Sequence, residues 1–247
     1  MLFKLAEQMR DQVSSLNLVR YVSFRIMAAF ITSIVVCLVL YPWFIRALQS
    51  SRVGQVIRED GPKSHFSKAG TPTMGGVLIM VSILSSCLLW CQLDNPLVVL
   101  TIACGLVFAA VGFIDDMRKL RKKNSKGLSG KVRLFVEFSF TLAALAFFMK
   151  VFGGETRYDL RLYIPFMSAE RYWIDLSFVA YLFLGAFVIV GTSNATNLTD
   201  GLDGLAAGPI LTASATLLIL SYITGAKLGS FDLSRYLLIP KVVGAEE

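Results

Sequence analysis

Three runs of this sequence combine residue types that ordinary packing does not require. The first, Gly112-Phe-Ile-Asp-Asp-Met-Arg-Lys119, sets Asp115 and Asp116 side by side where an apolar stretch ends. Adjacent carboxylates repel each other, and at a helix C-terminus both oppose the dipole. A divalent cation or a neighbouring Lys or Arg offsets that cost. Mg²⁺ typically takes one or two carboxylates together with phosphate oxygens. A solvated helix end paired with Arg118 and Lys119 accounts for the same residues without any ligand. The second run, Asn194-Ala-Thr-Asn-Leu-Thr-Asp-Gly-Leu-Asp-Gly204, spaces Asn197, Asp200 and Asp203 three apart. A helical turn would point them the same way, and Gly201 and Gly204 permit tight backbone. The third, Gly70-Thr-Pro-Thr-Met-Gly-Gly76, reads as a helix start. Thr71 before Pro72, or Thr73, is good N-cap chemistry, and free N–H groups there suit an anion. An ordinary cap with a glycine packing notch explains that run equally well.

These runs sit among elements that are strongly apolar. Hydrophobic residues make up 55% of the 247 and charged residues 17%, against about a quarter charged in soluble domains. A bilayer core of about 30 Å takes roughly 20 apolar residues in helix. Six stretches approach that length, near 22–45, 74–93, 97–114, 134–151, 176–195 and 205–223. The expectation is an all-α fold, a polytopic integral membrane helix bundle forming one transmembrane domain over 1–247. Apolar residues at helical spacing over 1–16 predict an amphipathic helix at the interface. With Lys4, Glu7, Arg10 and Asp11 in it, this segment does not read as a cleavable signal peptide. Arg133 and Glu137, four apart, could pair where the fourth span begins, and Arg25 could snorkel to the outer interface. Cys37, Cys87, Cys91 and Cys104 fall inside spans with no His or acid beside them, which reads as apolar packing.

The net charge is +7, and its placement orients the chain. The 46–73 loop carries five Lys or Arg and the 115–131 loop seven, whereas the 94–96 turn has none. The positive-inside rule places the first two loops in the cytoplasm, with the N-terminus outside and the 196–204 loop cytoplasmic. All three runs then meet one membrane face. Basic loops also attract anionic headgroups, so the charge alone does not identify a phosphate substrate. His65, the sole histidine, reads as a loop surface residue. Asn194 and Asn197 match a glycosylation sequon, discounted for a cytoplasmic loop at the bilayer edge.

The run from Asp60 to Gly76, then Gly112 to Asp116, then Asn197 to Gly204 closely resembles the phospho-N-acetylmuramoyl-pentapeptide transferases, within the polyprenyl-phosphate hexose-1-phosphate transferase superfamily. The resemblance covers the chain from its first span to about Ile239. It implies a ten-helix fold, a homodimer, a cytoplasmic-side active site in the bacterial plasma (inner) membrane, and Mg²⁺. The implied reaction transfers phospho-N-acetylmuramoyl-pentapeptide from UDP-N-acetylmuramoyl-pentapeptide to undecaprenyl phosphate and releases UMP. That is the first membrane step of peptidoglycan synthesis, and no nucleic acid is involved. Asp115, Asp116 and Asp200 take the catalytic positions by this resemblance, with Asp115 and Asp116 also serving the metal. Lys68, Thr73, Lys119, Lys131, Asn197, Gly201, Leu202 and Asp203 match substrate-binding positions.

The family carries a further acidic motif and a histidine motif in its last four helices, and this sequence has six spans. The expectation is an N-terminal part of the enzyme, inactive alone, with a further metal ligand beyond residue 247. Three rival readings remain. An N-acetylhexosamine-1-phosphate transferase of the same superfamily would lack the long run before the second span. An intramembrane prenyltransferase would want Asp clusters spaced by four. A transporter would place ionisable residues near mid-membrane rather than at one surface.

Overall fold

The structure, a computed structural model, describes residues 2–9, 13–50, 74–122, 127–152, 160–164, 167, 171–200, 204–225, 227–228, 231–232, 237 and 244–246. Its elements are almost all helical. They run α1 (Leu2–Met9), a 3₁₀ turn (Ser14–Arg20), α2 (Val22–Ser50), α3 (Gly76–Trp90), α4 (Pro96–Lys122) and α5 (Gly130–Phe152). Strands β1 (Arg161–Tyr163) and β2 (Trp173–Asp175) follow, then α6 (Phe178–Thr199), α7 (Ala207–Gly225), and the short strands β3 (Lys227–Leu228) and β4 (Phe231–Asp232). Both strand pairs are antiparallel hairpins.

Among the described residues, α2, α4, α5, α6 and α7 are long and apolar enough to cross a membrane. Very little of those helices is buried within the chain, and α7 buries no residue at all. So much exposed apolar surface is unfavourable in water and marks a lipid-facing surface. The chain is a multi-pass membrane protein. The second expected span, 74–93, is shorter than anticipated. α3 has 15 residues, which at 1.5 Å per residue spans about 22 Å. It is stopped by the Asp94-Asn95-Pro96 turn, where Asn95 Oδ1 accepts from the Leu97 N–H at 2.9 Å to start α4. Its start also differs, because the N-cap is Gly75 rather than a threonine, with no side-chain cap bond.

Other boundaries shift for similar reasons, since helices stop at caps rather than at the hydrocarbon edge. The N-terminal amphipathic helix, expected over 1–16, ends at Met9. Val13 is extended (φ −132°, ψ 100°), and Ser14 and Ser15 favour local turns over helix. α4 runs eight residues past Ile114, ending in the basic turn Lys119, Arg121, Lys122. α5 starts early at Gly130, where Ser129 Oγ accepts from the Val132 N–H at 3.4 Å. α6 opens on an N-cap bond from the Ala180 N–H to Ser177 Oγ at 3.2 Å and continues to Thr199.

The chain divides into two compact units, residues 1–133 with 242–247, and residues 134–241. In the first, α2 packs along α3. Trp90 Nε1 donates to Thr32 Oγ1 at 2.9 Å, and its ring meets Phe24 edge-on with centroids 6.1 Å apart. Arg25 does not snorkel outward. It is buried, with its guanidinium 4.8 Å over the Phe3 ring and 3.5 Å from the Trp90 carbonyl. Lys4 ties α1 to Asp94 at 2.7 Å. In the second unit, α5 and α6 run antiparallel. A Cβ on Gly185 would lie 3.0 Å from the Leu145 side chain, so that glycine lets the helices close.

Candidate functional site

Asp115 and Asp116 lie inside a helix, not at its end, which corrects the expectation that they oppose the dipole. Their mutual repulsion is offset by a cation one turn on. Lys119 is four residues from Asp115 and three from Asp116, the spacings at which helical side chains meet. Its Nζ lies 2.6 Å from Asp115 Oδ2 and 3.1 Å from Asp116 Oδ1. The other Asp115 oxygen is held by the chain returning from α4, because the Leu128 N–H donates to Oδ1 at 2.6 Å. Gly127 makes this return possible. A Cβ there would overlap the Asp115 carboxylate, 2.6 Å from its carbon and 2.9 Å from Oδ2.

The electrostatics follow from these partners. Asp115 is largely enclosed and Asp116 more open, with side chains 15% and 36% exposed. Desolvation pushes the Asp115 pKa up. The hydrogen bonds from Lys119 and the Leu128 N–H, with the charges of Lys119 and Arg133, outweigh it and hold the carboxyl below its usual range. Lys119 mirrors this. Desolvation lowers its pKa, but the two carboxylates win and raise it. Both groups lie on the polar extension beyond Ile114 and are charged at neutral pH.

Asp116 also lines a cavity of about 430 Å³ between α3 and α4. The walls are apolar or small, among them Met80, Val81, Leu106, Ala109 and Phe113, and Asp116 is the one charged group among them. Met74, at the mouth of α3 and also in the lining, takes φ +75°. That left-handed conformation is unfavourable for a side chain of this size and recurs at ligand sites. Two carboxylates and one lysine leave this end of the groove net negative, so an anionic head would bind there only with a bridging cation.

In the second unit, Asn197 occupies the last turn of α6 and Asp200 is its C-cap; both are exposed. The turn expected to align Asp200 with Asp203 runs through residues 201–203, which lie outside the described residues. Lys131 lies exposed in the first turn of α5, in the first unit. Lys68, Thr73, Gly201, Leu202 and Asp203 lie outside the described residues. The structure therefore joins Asp115, Asp116 and Lys119 directly, and carries Asn197 and Asp200 together at the end of a separate helix.

Two contributors escaped the sequence reading. Gly127 and the Leu128 N–H sat in a loop read only for its lysines, although Gly127-Leu-Ser-Gly130 was a visible turn signal. Glu137 was noted as a partner for Arg133. The structure shows it 1% exposed, with its Oε2 accepting from Asn194 Nδ2 at 2.6 Å.

Among the described residues no cluster of three His, Cys, Asp or Glu could hold a metal. The pair Asp115 and Asp116 still fits Mg²⁺, which is usually held by one or two carboxylates and completed by water and substrate phosphate.

Comparison with known proteins identifies the family. The glycosyl transferase family 4 model matches residues 98–244, and the phospho-N-acetylmuramoyl-pentapeptide-transferase signature 1 matches residues 68–80. The chain is similar to the phospho-N-acetylmuramoyl-pentapeptide-transferase of Sorangium cellulosum, 44% identical over 95% of this chain and 64% of that protein. It is 42% identical to those of Syntrophus aciditrophicus and Desulfotalea psychrophila, over 100% of this chain and 66% of each. The chain thus spans about two thirds of the length of these relatives.

Proposed function

The chain belongs to glycosyl transferase family 4, in its phospho-N-acetylmuramoyl-pentapeptide-transferase branch, and from that premise we propose that it serves the first membrane step of peptidoglycan synthesis. The reaction moves phospho-N-acetylmuramoyl-pentapeptide from its UDP carrier to undecaprenyl phosphate. The observation that carries this reading is the Asp115–Lys119–Asp116 cluster at the end of an apolar groove. Such a groove accommodates a prenyl chain, and a cation held by the carboxylates would let the charged end accept its phosphate. The match over residues 68–80 supports the muramoyl-pentapeptide donor over another N-acetylhexosamine.

In this mechanism an oxygen of the lipid phosphate attacks the β-phosphorus of the UDP-sugar. A new P–O bond forms, the bond from that phosphorus to the bridging oxygen breaks, and UMP leaves with the electron pair. A phosphate monoester with a second pKa near 6 is largely dianionic at neutral pH, so the acceptor needs little help from a base. Lys119 neutralises charge gathering on the transferring group. Asp115, pinned on both oxygens, fixes that lysine. Asp116 and Asp115 would hold Mg²⁺, which supplies further charge neutralisation at the pyrophosphate. By the family resemblance Asp200, Asn197, Gly201, Leu202, Asp203, Lys68, Thr73 and Lys131 would bind the donor. The site faces the cytoplasm of the bacterial inner membrane, the N-terminus lies outside, and the protein acts as a homodimer.

The test is UMP release by full-length protein in detergent, supplied with the UDP-linked donor, undecaprenyl phosphate and Mg²⁺. Release that requires the lipid acceptor supports the reading. Absence of release, or release without acceptor, refutes it.

A further inference from the structure

Glu137 lies one turn inside the apolar stretch of α5 and is almost wholly buried. A carboxylate at that depth is costly unless it has a task and a partner. One partner is Asn194 on α6, whose Nδ2 donates to Glu137 Oε2 at 2.6 Å and to the Val190 carbonyl at 2.9 Å. Thr141, next on the same stripe, donates to the Glu137 carbonyl at 2.7 Å. The buried residues on α5 are Glu137, Thr141 and Ala144, and those on α6 are Ala186 and Val190. Read antiparallel, the small end (Leu145 against Gly185) and the polar end (Glu137 against Asn194) define one register. Apolar contacts between helices tolerate rotation and sliding in lipid. A short hydrogen bond to a buried carboxylate does not. Asn194 stands three residues before Asn197 and six before Asp200, on the last stretch of α6.

We propose that Glu137 is a positioning residue that, through Asn194, fixes the rotation and depth of α6 and so the presentation of Asn197 and Asp200 to substrate. This rests on the reading of those two residues as lining the donor site. Glu137 itself touches no substrate. Losing the bond lets the end of α6 turn or slide, and a misplacement of about 1 Å costs about a hundredfold in rate.

The experiment uses full-length protein and measures kcat and donor KM for UMP release in wild type, Glu137→Leu, Glu137→Gln, Asn194→Leu and the Glu137→Leu/Asn194→Leu double variant. Activity of the wild type checks the functional reading by itself. Given that activity, each Leu variant is expected to lose about tenfold to a hundredfold in kcat with donor KM changed less than about threefold. Glu137→Gln, which still accepts from Asn194, retains at least about a third of kcat. The double variant is no slower than the worse single, as residues acting in series require. Multiplicative losses would overturn the proposal. So would Glu137→Gln as slow as Glu137→Leu, or Asn194→Leu at wild-type rate. If Glu137→Leu fails to fold, Asn194→Leu and Glu137→Gln decide the matter alone.

Discussion

Gly127→Ala probes the arrangement around Asp115 with a single added methyl. The new Cβ would sit 2.6 Å from the Asp115 carboxyl carbon, about 0.8 Å short of the 3.4 Å at which ordinary contacts begin. The obstacle is not the free end of a flexible side chain, because Lys119 and the Leu128 N–H hold its two oxygens at 2.6 Å each. One of those bonds must stretch. A hydrogen bond to a charged group is worth about 1.5–3 kcal/mol, and loss of unfolded-state entropy on replacing glycine returns about 0.4–1 kcal/mol. The net destabilisation is therefore about 1–2 kcal/mol, which leaves the protein folded. The larger effect is on rate, since moving Asp115 moves Lys119 with it, and about 1 Å of misplacement costs about a hundredfold. The assay is UMP release, with a melting curve in detergent beside it. Gly130→Ala is the control, because nothing lies within 4 Å of a Cβ there and turnover should be unchanged. Turnover within about threefold of wild type in Gly127→Ala would refute the claim that Asp115 is pinned and that its pinning matters.

Asp116→Asn should lower kcat by about 10²–10³ while barely moving the melting temperature, because an exposed carboxylate–lysine pair is worth only about 0–1 kcal/mol; a normal rate would remove Asp116 from the chemistry. The Asp115 carboxyl should titrate below the ordinary aspartate range by ¹³C NMR, since its partners outweigh desolvation; an ordinary or raised value would contradict the two-sided pinning. The sign of the linkage follows. Asp115 stabilises above its unfolded pKa and loses that contribution as pH falls through its depressed folded value, whereas Lys119, whose pKa is raised, loses its contribution only as pH rises through a value above the ordinary lysine range. The cluster is therefore intact throughout the neutral window, and loss of its stabilisation between pH 6 and 8 would count against it. Cysteines placed near residues 68, 118 and 203 should resist labelling from outside intact cells; modification of any one would separate the runs onto two membrane faces.

Much of this was legible in the sequence, and the parts that were not share a cause. Apolar length revealed the spans because lipid leaves the backbone few alternatives to helix. It did not reveal every boundary, since helix continues beyond the apolar length into polar residues at the end of α4 and the start of α5. α4 runs on through Lys122 and carries Asp115 and Asp116 inside it. The chemistry of those aspartates was readable from their adjacency, and Lys119 from its spacing. The hold on Asp115 was not, because it comes from a backbone N–H thirteen residues away and a glycine chosen for the side chain it lacks. Glu137 was visible as an acid in a span, but its hydrogen bond to Asn194 reaches 57 residues on and no local spacing announces it.

The central claim is that this chain's carboxylate–lysine cluster serves transfer to a lipid phosphate. The most direct measurement is the Mg²⁺-dependent release of UMP from UDP-N-acetylmuramoyl-pentapeptide by full-length protein, with and without undecaprenyl phosphate, in wild type and Asp116→Asn. Release is expected only with the lipid acceptor, with near-complete loss in Asp116→Asn. Release that ignores the acceptor, or that survives the substitution, would contradict it.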